Sequence, residues 1–234
     1  MAADIDTSLL GSLQTGMEID GFRLLERMNP GATAHLFRVE RVDGTPAAFP
    51  MVMKIPKVGR KQPSESIIGF ETEAMILPAL HGEHVPRFVA SGDIVDTPHL
   101  VMEWVHGAGL AGIAAKAPLP AAQVAQLGAA LADAVHALHQ QNVIHHDLKP
   151  DNVIVRNDGS MVLLDFGFAR HAHFPDLLAE EKFYAAGSAP YVSPEQLTGS
   201  RADPRSDIFA IGVILYELAT GQLPFGIPES VNQM

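Results

Sequence analysis

His145-His146-Asp147-Leu148-Lys149-Pro150-Asp151-Asn152, followed thirteen residues later by Asp165-Phe166-Gly167, is the stretch on which the reading of this chain turns. An Asp, a Lys two residues on and an Asn five residues on bring together a proton acceptor, a cation and a neutral oxygen ligand for a metal. The second segment directly follows an apolar run. There a carboxylate can hold a divalent ion, and the glycine lets the chain turn sharply away. Positioned metal, neutralised phosphate oxygens and an oriented hydroxyl are the requirements of phosphoryl transfer.

Outward from this stretch the pattern is regular. Before it, Val124, Leu127, Leu131, Val135 and Leu138 recur at helical spacing after Pro120, which suits a first helical position. Val153 to Val155 and Met161 to Leu164 read as strands joined by the turn Asn157-Asp158-Gly159-Ser160. Downstream, Asp203 and Pro204 open a helix that Gly221 closes. Its segment Ile208 to Leu218 is apolar on nearly all faces and is expected to be buried. Upstream, Phe22 to Arg27, Leu36 to Val42, Phe49 to Ile55 and His99 to Val105 read as strands, with Asp43-Gly44 as a hairpin signal. Ser64 to Leu80 reads as a helix with a boundary near Pro78. The fold class is therefore α+β: a small β-rich lobe, then a larger helical one.

Composition narrows the function. The 234 residues are 47% hydrophobic, enough for one sizeable core or two small lobes sharing a cleft. Sixteen basic against 27 acidic residues give a net charge of −11, so nucleic acid is not an expected partner. The absence of cysteine excludes a disulfide framework, a thiolate zinc site and a cysteine nucleophile. The first ten residues lack the basic start of a signal peptide, and the apolar run Ile208 to Leu218 is interrupted by Glu217 and too short to span a bilayer. A cytoplasmic protein with no membrane segment in this chain is the expectation.

From about Phe22 to about Phe225 the chain resembles the protein kinase family, most closely the eukaryotic-like serine/threonine kinases of bacteria. The resemblance implies a two-lobed fold: an extension over 1–20, a small lobe over 21–103, a hinge over 103–108 and a larger lobe over 109–234. It implies Mg-ATP as phosphate donor and a protein hydroxyl as acceptor. Asp147 then matches the catalytic base and Lys149 the cation on the γ-phosphate, while Asn152 and Asp165 match the Mg²⁺ ligands. Met51-Val52-Met53-Lys54 is similar to the family's Val-Ala-Ile-Lys strand, which makes Lys54 the cation on the α/β-phosphates. Its carboxylate partner is best matched by Glu73, with Glu71 as the rival. Leu36, Val52, Met102, Glu103, Val105 and Ile154 match positions around the adenine, and Gly31 the loop over the phosphates. Gly187 to Glu195 is similar to the peptide-positioning segment, with Ser188 in its substrate-positioning place. Asp207 matches the anchor of the catalytic-loop backbone.

Three departures from the pattern carry expectations of their own. Asn29-Pro30-Gly31-Ala32-Thr33-Ala34 keeps one glycine where the family usually has three. His146 stands where the family usually has an Arg that pairs with a loop phosphate, and residues 168–186 contain no Ser or Thr, with Tyr184 as the sole hydroxyl. Activity is therefore expected not to need phosphorylation of that loop. In kinases further helices follow the region of Gly221 to Phe225, so the larger lobe is expected to be incomplete and its last helix short of cover. Two rival readings stand beside the kinase. One is a pseudokinase acting as a binding or scaffold module, suggested by the sparse glycines and opposed by the intact Lys, Asp, Asn and Asp set. The other is a small-molecule phosphotransferase, disfavoured by Lys149 and the segment Ser188 to Glu195.

Overall fold

The structure is a computed structural model that describes residues 13–28, 34–57, 64–93, 97–180 and 187–226. It is a two-lobed protein-kinase-like fold. The first lobe is an antiparallel sheet of β1 (Glu18–Ile19), β2 (Phe22–Arg27), β3 (Ala34–Arg41), β4 (Met51–Pro56), β5 (Phe88–Ser91) and β6 (Leu100–Glu103), in the order β1-β2-β3-β4-β6-β5. The pairing of β1 with β2 brings Glu18 and Ile19 into the sheet, just ahead of the boundary expected at residue 21. Helix α1 (Ser64–Ile76) lies between β4 and β5. It gives way to a 3₁₀ turn over Leu77–Ala79, in which Pro78 cannot continue the α-helical bonding.

Strand β4 explains why the lobe works. Side chains alternate across a strand, so Met51, Met53 and Ile55 enter one apolar cluster with Phe22, Leu24, Phe37, Val39 and Val101. Val52 and Lys54 face the other way, where Val52 joins the cluster that continues into the second lobe. Both faces are covered, so β4 reads as a nearly unbroken apolar run with one lysine in it.

In the second lobe a short pair, β7 (Ala108–Gly109) and helix α2 (Leu110–Ala114), comes next in the chain after β6. Helix α3 (Ala121–His139) then leads through β8 (Val143–Ile144) to the loop beginning at His145. Pro120 is the residue before α3 rather than its first, because its ψ of 139° is extended while its carbonyl already accepts from Gln123 and Val124. Strands β9 (Val153–Val155) and β10 (Met161–Leu163) form the expected hairpin, closed by Asp158 Oδ1 accepting from the Ser160 amide and hydroxyl. β11 (Arg170–His171) pairs back onto β8. The chain then passes through the short helices α4 (Leu177–Glu180) and α5 (Pro194–Leu197) to α6 (Arg205–Thr220). The α6 start is fixed by the Asp203 carboxylate, which accepts from the Arg205 amide at 2.9 Å, and its end by Gly221 at φ 72°.

The expectation that Ile208 to Leu218 is buried all round needs correction. Ala210, Ile211, Val213, Ile214 and Leu218 are buried, but Ile208 keeps 54% of its surface and Tyr216 45%. These two lie eight residues apart on one inclined i, i+4 ridge of the helix, with exposed Gly212 between them. α3 and the segment around Tyr191 cover the opposite side of α6, and Tyr191 donates to Glu217 at 2.7 Å. The Phe225 ring, 69% exposed, stacks 5.8 Å from Phe209. Among the described residues no helix is long and apolar enough to cross a membrane.

Two isoleucines six residues apart on α6 therefore differ in worth. Ile214→Ala, at a fully buried site, should cost about 2–5 kcal/mol in denaturant unfolding. Ile208→Ala should stay within about 0.5 kcal/mol. Equal losses would show that the outer line of α6 is covered after all.

Candidate functional site

The site forms where β4, α1, the His145 to Asn152 loop and the turn after β10 converge. Lys54, placed on the inner face of β4, puts Nζ 2.5 Å from Glu73 Oε2 and 3.0 Å from Asp165 Oδ1. Of the two acidic candidates on α1, Glu73 is the one that meets Lys54; it is 2% exposed, whereas Glu71 is half-buried. Burial works against the Lys54 ammonium, but the charges of Asp165 and Glu73 outweigh it and raise its pKa. Asp165 is held below the usual carboxylate range chiefly by the Lys54 charge. Burial instead pushes the Glu73 pKa up, partly offset by Lys54 and by the Phe166 amide.

Backbone constraints bring these groups together. Asp165 adopts φ 62°, a conformation costly for a residue with a Cβ, and so turns the chain away from β10. Phe166 is fully buried and its ring lies 5.2 Å from that of His145. Gly167 passes so close to α1 that a Cβ on it would come 3.2 Å from the Gly69 carbonyl oxygen.

The loop itself hangs on Asp207. This carboxylate, 1% exposed, accepts from the His145 amide and the His146 amide at 2.9 Å each and pairs with His139 Nε2 at 2.8 Å. Burial alone would raise its pKa, but these partners overcome that and lower it. His145 accepts from the Asp147 amide through Nδ1 and meets the Leu164 carbonyl through Nε2 at 3.0 Å, which assigns its proton to Nε2. The Asp147 carboxylate is 3% exposed and closely held. Its Oδ1 accepts from the Ser188 amide at 2.7 Å, and its Oδ2 takes Asn152 Nδ2 and Lys149 Nζ, both at 3.0 Å. Lys149 also donates to Ser188 Oγ at 2.6 Å. Lys149, Ser188, Asn152 and Asp147 are thus one network.

The donor set suits a hard divalent cation. Asn152 spends Nδ2 on Asp147, leaving Oδ1 as the acceptor. Its main-chain carbonyl accepts from the Leu164 amide at 2.8 Å, next to Asp165, whose side chain keeps 42% of its surface open. Val52 and Met102 are paired residues of β4 and β6, buried in the cluster against which Leu36 packs. Ile154 lies beside Gly107, where a Cβ would come 2.5 Å from its Cγ2. Val105 is buried, and the Glu103 side chain at the end of β6 ties Arg87 at 2.9 Å and Arg156 at 3.6 Å. Gly31 and Tyr184 lie outside the described residues. Glu195 accepts from Ser206 Oγ at 3.0 Å.

His146 is the group whose character sequence alone obscures. It sits at φ 62°, 4% exposed, with Nε2 on the Arg201 carbonyl at 3.0 Å and its own carbonyl accepting from Gln196. Burial, then the Arg201 charge, lowers its pKa to about 4, so it is a neutral donor in the position where the family usually has a cation. Two further residues, Asp176 and Arg201, belong to this neighbourhood although nothing in their local sequence marks them. Arg201 Nε lies 2.9 Å from Asp176 Oδ2, and Arg201 NH2 donates to the Phe168 carbonyl at 2.9 Å.

The protein kinase domain family matches residues 31–234, and the chain belongs to that family. It is 31% identical over 207 residues to a probable serine/threonine-protein kinase, PknB, of Lactococcus lactis, covering 88% of this chain and 32% of that protein. It is 32% identical over 216 residues to serine/threonine-protein kinase Pkn1 of Myxococcus xanthus, covering 90% of this chain and 30% of that protein. Serine/threonine-protein kinase pkn2 of the same organism is 36% identical over 168 residues, which cover 70% of this chain and 20% of that protein. The chain thus spans a third or less of the length of these relatives.

The neutral state of His146 makes a pH prediction. Its pKa is 6.5 in the unfolded chain and about 4 when folded, so between those values the unfolded state binds the extra proton. The resulting stability, at most about 3 kcal/mol, is complete above the higher value and drains away as pH falls toward the lower. His146→Gln should flatten that part of the profile in urea unfolding; an unchanged slope would assign the acid sensitivity to other groups.

Proposed function

We propose that this chain is a serine/threonine protein kinase domain that transfers the γ-phosphate of Mg-ATP to a protein hydroxyl. The observation that carries the reading is the closed network of Asp147, Lys149, Asn152 and Ser188 facing the Lys54, Glu73 and Asp165 group. In it Asp147 orients the acceptor hydroxyl and takes its proton. Lys149 faces the transferring phosphoryl group, and Ser188 fixes both of these side chains. Lys54, steadied by Glu73, faces the α/β-phosphates. Asn152 and Asp165 hold the divalent ion. Held there, such an ion would supply positive charge to offset that of the phosphate oxygens. Leu36, Val52, Met102 and Ile154 enclose the base, with the Glu103 and Val105 backbone along its edge. A protein rather than a small molecule is the acceptor because Lys149 is tied to Ser188 at the head of a segment suited to seat an extended peptide.

Asp147→Asn should cut transfer from radiolabelled ATP to a generic basic protein by about 10²–10⁴-fold while ATP affinity changes little. Unchanged turnover would overturn the assignment of Asp147, whereas no transfer by the wild-type chain would favour a binding module. Asp165→Ala should instead abolish Mg-dependent nucleotide binding in calorimetry.

The reaction in this reading runs without phosphorylation of residues 168–186, since His146 is neutral and Arg201 is already engaged. Phosphatase treatment should therefore leave transfer within about twofold of the untreated rate, far below the effect of losing a charged positioning contact. A steep drop mapped to Tyr184 would contradict it.

A further inference from the structure

We propose that Asp176 is a positioning residue that serves as a permanent substitute for a loop phosphate, tying the segment after Gly167 to the segment before α6 and thereby fixing α1. The proposal deepens the kinase reading above and rests on it for its catalytic arm.

Asp176 is held from three sides. Arg201 Nε lies 3.0 Å from its Oδ1 and 2.9 Å from its Oδ2, and Arg170 Nε lies 3.6 Å from Oδ2. Its own helix, α4, uses it as a start: Oδ1 accepts from the Ala179 amide at 3.3 Å, and its carbonyl accepts from the Glu180 amide at 3.0 Å. The Arg201 side chain is only 4% exposed, so its charge depends on this carboxylate for compensation.

The cluster reaches the active machinery by two routes. Arg201 NH2 holds the Phe168 carbonyl, next to Gly167, while the Arg201 carbonyl takes His146 Nε2, next to Asp147. On the other side α4 packs against α1, with Leu178 fully buried. α1 carries Glu73, whose position fixes Lys54. Kinase loops that are ordered by phosphorylation use new arginine–phosphate pairs to achieve this kind of bridging. Here the two arginines already grip a side chain that is charged without modification. A carboxylate brings less charge than a phosphate, about one against 1.5–2, and the match is one Arg201 Nε–H shared by both oxygens and one longer contact from Arg170.

The test is amide hydrogen exchange on the full chain, paired with phosphate transfer to a basic protein. In Asp176→Asn and Arg201→Gln, exchange in α1 and α4 should quicken about tenfold or more, the worth of a hydrogen bond to a charged group, while α3 and α6 keep their protection. Asp176→Glu should restore most of the protection in α1. In the same variants kcat should fall on the order of 10- to 100-fold, as when a catalytic constellation is displaced. Unchanged exchange in α1 overturns the proposal, and so does a uniform rise that includes α3 and α6, which would make Asp176 a general stability contact. Should Asp176→Asn fail to fold, Arg201→Lys keeps the charge and loses the Nε–H that both Asp176 oxygens share. It should raise exchange in α1 by a smaller factor, and no change there also overturns the proposal. Absence of transfer by the wild-type chain would count against the kinase reading alone, and the exchange pattern would still decide the role of Asp176.

Discussion

One buried carboxylate sets the geometry on which the rest depends. Asp207 comes from the first turn of α6, yet what it holds are two consecutive amides of a loop sixty residues earlier. A carboxylate taken out of water must be compensated nearly in full. The two amides and His139 do this, and in return His145 and His146 lose their freedom to move relative to α6. His146 can then occupy a left-handed conformation that would otherwise be unfavourable, and Asp147 emerges facing Ser188 and Lys149. The core of the second lobe is thereby continuous with the chemistry: the packing of α3 on α6 fixes Asp207, which in turn fixes the loop.

The second organising element is electrostatic and crosses between the lobes. Lys54 belongs to the sheet, Glu73 to the helix behind it and Asp165 to the other lobe. One cation between two anions is a net negative group, and its open oxygen atoms are on Asp165, the member with most exposure. Such a group gains from a further cation. The same positions that satisfy Lys54 in the protein alone therefore create the demand that a divalent ion would meet.

Much of this was legible in the chain before folding. Strand β4 announces itself as a nearly unbroken apolar run, and its lysine by being the one charge in it. The residues around Asp147 and Asp165 carry chemistry at fixed spacings that survive any plausible arrangement of loops. What the sequence concealed has common physical causes. The choice between Glu73 and Glu71 is a question of helical register, and α1 has no marked amphipathic stripe to settle it. The outer line of α6 looked buried because composition reports what a side chain prefers, not which neighbour is there to cover it. Asp176 and Arg201 read as ordinary loop charges, 25 residues apart, and only the path of the backbone makes them a pair.

The close passage of Gly167 against Gly69 has a mechanical meaning. Side chains yield by changing rotamer, whereas two peptide units in contact have little to give. The gap between the helix that bears Glu73 and the turn that bears Asp165 is therefore gauged by the thickness of main chain itself. A displacement of either one is delivered to the other undiminished, as between parts bolted flush without a washer. The spacing of the two stretches of backbone that carry the anions around Lys54 is accordingly a dimension of the scaffold.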